Sequence, residues 1–269
     1  MTWRDATETL LKPLITSERV GLITDMDGTL APIVPNPDDA YPTERSKKLL
    51  AQLSEHLTLV AAVSGRAVAD LHERVNLPGL VYSGNHGLER WENDKVVVAP
   101  MVLEYENALQ KAKAAVTDIA PEGVMIEDKG ATLSVHYRNA AIPAEINLLF
   151  EPKLRDIADK HNLRLFSGRK VFELRPPLDI DKGTVFKQLI EENNLDAAIY
   201  IGDDTTDADA LKMARQLRDD KQCHAVGMGV QSDDTPSVVL ISADCLADGV
   251  EGVEDFLEWF LKSVMASVI

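Results

Sequence analysis

The chain has 269 residues, of which 45% are hydrophobic and 27% charged, with 44 Asp and Glu against 28 Lys and Arg and a formal net charge of −16. The apolar share suffices for a sizeable core and excludes a wholly disordered chain. The acidic balance repels phosphate backbones, which excludes nucleic acid as a partner and requires any anionic substrate to be met by a locally positive group or a metal ion.

In chain order, Val20–Thr24 is a continuously apolar run of the kind buried on both faces of a parallel sheet. A helix is predicted over 43–53, a second apolar strand over 57–63, a helix over 67–75 and a weaker strand over 79–82. After a middle section come a helix over 184–193, a third strong strand over 197–201, a helix over 207–217, a strand over 223–226 and an amphipathic closing helix over 253–264. Strands alternating with helices predict an α/β fold with a parallel sheet and right-handed crossovers.

The middle section, 99–175, reads as helix, two strands, helix, two strands, and predicts a smaller α+β domain inserted into a core of residues 1–98 and 176–269. Leu109, Ala112, Val116 and Ile119 share one helical face, and Ile146, Phe150, Leu154 and Ile157 another. The strand expected over 131–138 alternates, with Leu133, Val135 and Tyr137 on one side and Ser134, His136 and Arg138 on the other.

Cys223 and Cys245 make neither a disulfide framework nor a thiolate metal site. Residues 1–14 lack the apolar core of a signal peptide, and no run approaches the roughly 18 apolar residues of a membrane span. A cytoplasmic protein that engages no membrane is the expectation.

Each strong strand runs into a polar signature: Asp25-Met26-Asp27-Gly28-Thr29-Leu30, Ser64-Gly65-Arg66, and Gly202-Asp203-Asp204-Thr205-Thr206-Asp207. The crevice of an open α/β sheet lies beyond the carboxyl ends of its strands, so the three converge there. Asp27-Gly28 alone reads as a turn and Asp203 to Asp207 as a helix start. Together they predict clustered carboxylates around a hard cation, with Mg²⁺ as the expected cofactor. Asp25 and Asp27 lie two apart and point to one side, which allows one to attack a substrate while the other handles protons. Lys182, at the start of a helix, can neutralise a phosphoryl group. Walker-type and dinucleotide glycine fingerprints are absent from the sequence, which argues against nucleotide-driven chemistry.

These four ordered motifs, Asp25-x-Asp27-Gly28-Thr29, Ser64, Lys182 and Gly202-Asp203-Asp204-x-x-Asp207, resemble those of the haloacid-dehalogenase superfamily of phosphohydrolases. The resemblance implies a Rossmann-like core with an inserted cap that closes over the site. It implies Asp25 as the nucleophile that becomes an aspartyl-phosphate, and Asp27 as the general acid and base. Mg²⁺ would be bound by the Asp25 carboxylate, the Asp27 carbonyl and Asp203, with Asp207 in support. Ser64 and Lys182, with backbone N–H groups near Gly28, Thr29 and Gly65, would bind phosphoryl oxygens.

A narrower resemblance, to trehalose-6-phosphate phosphatases, rests on Leu30-Ala31-Pro32-Ile33, Ser64-Gly65-Arg66, Gly84-Asn85-His86-Gly87-Leu88-Glu89, Glu127-Asp128-Lys129-Gly130, His136-Tyr137-Arg138 and Glu173-Leu174-Arg175-Pro176. It implies a sugar-phosphate substrate, with Arg66, Glu89, Glu127, Lys129, His136, Arg138 and Glu173 contacting it, and leaves room for a separate trehalose-phosphate synthase as partner. Arg66 has two readings, as a substrate ligand or as the partner of a neighbouring acid, and Glu89 is preferred to His86 for substrate contact. Ala208-Asp209-Ala210-Leu211 departs from the acidic and aromatic continuation usual in that family. Phosphatases of sucrose phosphate, mannosylphosphoglycerate or glucosylglycerol phosphate therefore remain alternatives, as does a catalytically silent phosphosugar sensor, against which intact Asp25 and Asp27 argue.

Overall fold

The continuously apolar runs become the inner strands of a sheet covered on both faces. In the computed structural model, which describes residues 1–168 and 170–267, the chain runs through α1 (Pro13–Thr16), β1 (Val20–Thr24), α2 (Glu44–Ser54), β2 (Leu59–Val63), α3 (Val68–Val75), β3 (Val81–Gly84), β4 (Glu89–Glu92) and β5 (Lys95–Val98). The middle follows as α4 (Pro100–Leu103), α5 (Glu106–Ile119), β6 (Met125–Asp128), β7 (Leu133–His136), α6 (Pro143–Lys160), β8 (Arg164–Gly168) and β9 (Val171–Arg175). Then come α7 (Lys182–Glu192), β10 (Ala197–Gly202), α8 (Asp207–Asp219), β11 (His224–Gln231), α9 (Ser237–Ser242), β12 (Cys245–Asp248) and α10 (Gly249–Ser267). Two units result, Met1–Lys95 with Ile180–Ile269, and Val96–Asp179.

In the first unit the strand order is β12-β11-β10-β1-β2-β3-β4-β5. The pairs from β12 to β3 are parallel, and β4 turns back antiparallel on β3. The hairpin of β4 and β5 turns through Asn93 and Asp94, both with positive φ (51° and 58°) as a primed turn requires. Alternation along the buried strands sends Leu22, Val60 and Ile199 to one face, against Leu50 and Leu53 of α2 and Phe256 and Phe260 of α10. Ile23, Ala61 and Tyr200 go to the other, against Phe186 and Leu189 of α7 and Leu211 and Ala214 of α8. Each such buried side chain contributes about 1.5–3 kcal/mol. Register then sets the site: Thr24 pairs with Ile201 on one side and Ala62 on the other, so β1, β10 and β2 end level.

The second unit is an antiparallel sheet in the order β6-β7-β9-β8. Leu133, Val135, Phe172 and Leu174 bury one face against Leu109 and Val116 of α5 and Phe150 and Leu154 of α6. Ser134, His136, Glu173 and Arg175 lie on the opposite face, as period-two alternation requires. Among the described residues, no helix is long and apolar enough to cross a membrane.

Candidate active site

The Asp25 N–H donates to the Ile201 carbonyl at 2.9 Å, carrying the β1–β10 ladder one residue past β1. The chain then folds tightly on itself: the Met26 carbonyl accepts from Leu30 and Ala31 at 2.8 and 2.9 Å, and the Gly28 N–H donates to the Ala31 carbonyl at 2.8 Å. Gly28 has φ +78°, and a Cβ there would stand 2.2 Å from Asp203 Oδ2. Only glycine satisfies both constraints, so the loop after β1 presses directly on the carboxylate after β10. The Thr29 hydroxyl is buried and has no hydrogen-bond partner among the described residues.

Asp207, at the start of α8, organises the β10 loop. Its Oδ2 accepts the N–H groups of Asp203 and Asp204 at 3.1 and 2.9 Å, and its Oδ1 accepts the Tyr200 hydroxyl and the Lys182 ammonium, each at 2.7 Å. Lys182 opens α7 behind Asp181, whose carboxylate accepts the Thr184 N–H at 2.8 Å. The same ammonium lies 3.0 Å from Asp25 Oδ1. Asp25, Lys182, Asp203 and Asp207 are all buried. Burial raises the Asp25 pKa well above the ordinary carboxylate value; Lys182 opposes the shift and Asp207, Asp203 and Asp27 add to it. Burial works against the Lys182 charge, but Asp207 and Asp25 outweigh it and hold its pKa above that of an ordinary lysine. The Tyr200 hydroxyl is pushed up by burial and by Asp207.

On the other side of β1, the Ser64 N–H donates to the Ser83 carbonyl at 3.0 Å, and the Ser64 Oγ accepts the Arg66 N–H at 3.2 Å. A Cβ on Gly65 would stand 2.6 Å from the His86 ring, so that histidine packs on the Ser64-Gly65-Arg66 turn. Arg66 forks onto Asp27, with Nε 2.7 Å from Oδ2 and Nη2 2.8 Å from Oδ1, and reaches Asp70 and the Pro37 carbonyl at 2.8 Å. Glu89 is buried, and its carboxylate accepts the Val68 N–H at 3.0 Å, which satisfies an amide at the start of α3.

In the second unit, Glu127 meets His136 at 2.8 Å and Lys129 meets Glu173 at 3.4 Å. Glu173 also accepts the Thr132 and Ser134 hydroxyls and the Arg175 guanidinium. Arg138 sits half-buried in the turn after β7. Tyr200 and Asp70 were not singled out in the sequence. A tyrosine within a wholly buried strand is the signal that marks Tyr200, since a buried phenol needs a partner, whereas Asp70 carries no signal beyond its i,i+4 spacing from Arg66.

Asp25, Asp203 and Asp207 bring carboxylate oxygens within 4.8 Å of one another. Three buried carboxyl groups stand against one ammonium, and among the described residues Asp25 Oδ1 has no aligned hydrogen-bond donor. An all-oxygen set of this kind fits a hard divalent cation. Both Asp207 oxygens already accept donors, so Asp25 and Asp203 are the fitting ligands and Asp207 the group that holds Lys182 and the loop.

The family model for trehalose-phosphatase matches residues 23–240. A trehalose-phosphate phosphatase of Mycobacterium marinum is 37% identical over 222 residues, covering 77% of this chain and 55% of that protein. A probable trehalose-phosphate phosphatase D of Arabidopsis thaliana is 33% identical over 214 residues, covering 74% and 58%. The chain thus spans little more than half the length of these relatives. The C-terminal domain of Candida albicans trehalose-6-phosphate phosphatase has a similar fold, with a TM-score of 0.78 at 23% identity over 95% of this chain and 96% of that one. With a model match over most of its length and relatives above 30% identity across three quarters of it, the chain belongs to the trehalose-phosphatase family.

Proposed function

We propose that the chain is a Mg²⁺-dependent phosphatase that hydrolyses trehalose 6-phosphate to trehalose and phosphate through an aspartyl-phosphate on Asp25. The observation that carries this reading is the buried Asp25 carboxylate, 3.0 Å from the Lys182 ammonium and clustered with Asp203, with Asp27 two residues on. The names of the relatives point to the substrate.

The phosphoryl group enters against Lys182, the Ser64 hydroxyl and the N–H groups of the Gly28-Thr29 and Gly65 turns, which draw charge from its oxygens. An Asp25 oxygen attacks phosphorus, the bond from phosphorus to the sugar oxygen breaks, and Asp27 gives that oxygen its proton. Asp27 then takes a proton from water, whose oxygen bonds to phosphorus as the bond to Asp25 breaks. Phosphate leaves and both carboxyls return to their starting state. Mg²⁺, with Asp25, Asp203 and the Asp27 carbonyl as ligands, supplies neutralising charge for the phosphoryl oxygens. Arg66 holds Asp27 in line through its fork, and Lys182 is held in turn by Asp207 and Tyr200.

We assign the sugar to the polar sheet face of the second unit, where Glu127, Lys129, His136 and Glu173 present donors and acceptors on a rigid support. A separate synthase supplies the phosphorylated disaccharide. Buried, unpaired Cys223 and Cys245 suit the reducing cytoplasm. Phosphate release from trehalose 6-phosphate, sucrose 6-phosphate, glucose 6-phosphate and mannosylphosphoglycerate, with Mg²⁺ and with chelator, tests this reading. The expected result is metal-dependent preference for trehalose 6-phosphate. Preference for another member overturns the substrate assignment, and binding without turnover favours the sensor.

A further inference from the structure

The turn between β3 and β4, Asn85–Gly87, has a strained backbone and no part in the reaction as drawn above. Asn85 and His86 both have positive φ, 46° and 59°, in the left-handed region that non-glycine residues enter singly and at a cost. Their surroundings hold them there. The Asn85 N–H donates to the Arg66 carbonyl at 2.7 Å and the His86 N–H to the Ser64 carbonyl at 3.0 Å, so the two residues bind the Ser64-Gly65-Arg66 turn at both ends. The His86 ring fills the middle: it is buried, and its Cε1 and Nε2 stand 2.6 and 2.7 Å from where a Gly65 Cβ would lie. Next to it, Gly87 (φ +112°) seats on α7, where a Cβ would stand 2.3 Å from Val185 Cγ2. Val185 lies one turn into the helix that Lys182 opens. One strained turn is thus wedged between the Ser64-Gly65 turn and the helix that carries Lys182, all within the first unit.

Strain of this kind persists only where the surrounding structure over-determines it, and it collects where geometry matters to chemistry. Donors to a phosphoryl group act by standing in place before the reaction begins, and a displacement of roughly 1 Å is costly. We propose that His86 is a positioning residue: its ring, backed by α7 through Gly87, holds the Ser64-Gly65-Arg66 turn at the reach from Lys182 that a phosphoryl group needs. Glycine at 65 is then required because a larger residue collides with the ring. The role concerns the phosphoryl end of the substrate, so it is the same for every phosphate ester. The proposal rests on the phosphatase reading above.

The test measures hydrolysis of p-nitrophenyl phosphate and its inhibition by orthovanadate, which takes up the five-coordinate geometry of a phosphoryl group in flight. The Mg²⁺-loaded wild-type protein is compared with His86→Gly, His86→Asn, Gly65→Ala and the double variant Gly65→Ala/His86→Gly. Glycine and asparagine accept positive φ, so each removes the ring without forcing the backbone of the turn. Each should lower kcat/KM roughly ten- to a hundredfold and raise the vanadate Ki by the same factor. A role in stability alone would lower the active fraction and leave Ki unchanged. Gly65 has no positive φ, and the nearest atoms an alanine there would meet are those of the ring. Gly65→Ala should therefore cost far more in the wild-type protein than in His86→Gly. An unchanged Ki in both His86 variants, or a Gly65→Ala loss of equal size with and without the ring, overturns the positioning role alone. Wild-type protein that neither hydrolyses p-nitrophenyl phosphate nor binds vanadate overturns the phosphatase reading and, with it, the positioning role.

Discussion

Arg66 grips both oxygens of Asp27, with Nε 2.7 Å from Oδ2 and Nη2 2.8 Å from Oδ1. Asp70 accepts from the same guanidinium at 2.8 Å and from Arg74 at 2.7 Å, and Arg74 is itself fixed by the Asp38 and Ala40 carbonyls at 2.9 Å. The carboxylate assigned to proton transfer is therefore aimed by a chain of planar, charge-assisted bonds running out from α3.

Loss of that aim should lower turnover more than binding. Arg66→Ala should reduce kcat roughly ten- to a hundredfold, since small misplacements of a reacting group are costly. Arg66→Lys should recover only part of it, because an ammonium cannot fork. Asp27→Asn should cost about 10²–10⁴-fold, the usual worth of general acid–base help. Steady-state kinetics on trehalose 6-phosphate check all three, and an undiminished rate in Asp27→Asn would require another proton donor.

Asp25→Asn should reduce turnover by about 10⁴-fold or more, as loss of a nucleophile does, while leaving the fold intact. Stability should move the other way. The raised Asp25 pKa means that the folded carboxyl keeps its proton to a higher pH than the unfolded one. Its contribution therefore favours folding at low pH and is lost as pH rises through the folded value. In chelator, Asp25→Asn should gain stability over wild type progressively as pH rises above the ordinary carboxylate value of about 4. Thermal melts across that range read the difference, and parallel curves would contradict it.

Asp207 accepts four donors and is fully buried. Asp207→Ala leaves the buried Lys182 ammonium with Asp25 alone and orphans the other three donors, and should destabilise the protein by about 3–5 kcal/mol. Tyr200→Phe removes one donor and should cost about 1 kcal/mol. Denaturant unfolding should rank the two in that order.

Mg²⁺ should raise the melting temperature of the wild-type protein, by a stabilisation of about 2.7 kcal/mol at a hundredfold excess over Kd. Asp203→Asn should abolish the shift. A shift of equal size in that variant would remove Asp203 from the ligand set.

The parts of the site legible in the sequence are those where chemistry interrupts a buried strand. Asp25, Ser64 and Asp203 each follow an apolar run, and a level register makes them neighbours. The buried faces of α5 and α6 and the alternation about Leu133 and Val135 were legible as periodicity. The hairpin at Asn93 and Asp94 was not, because β4 and β5 are short and Glu89, Arg90 and Glu92 give no apolar period. The Arg66 fork joins residues 39 apart, so no spacing announces it. That one Glu89 oxygen accepts the Val68 N–H at the start of α3 was not legible, because the two residues lie 21 apart.

The most direct test is to mix the Mg²⁺-loaded protein with trehalose 6-phosphate, quench within the first turnover, reduce with borohydride and map the product by mass spectrometry. An acyl phosphate on Asp25 is reduced to homoserine, so homoserine at position 25, absent without substrate, is the expected result. Phosphate release with Asp25 unmodified at every quench time would contradict the assignment.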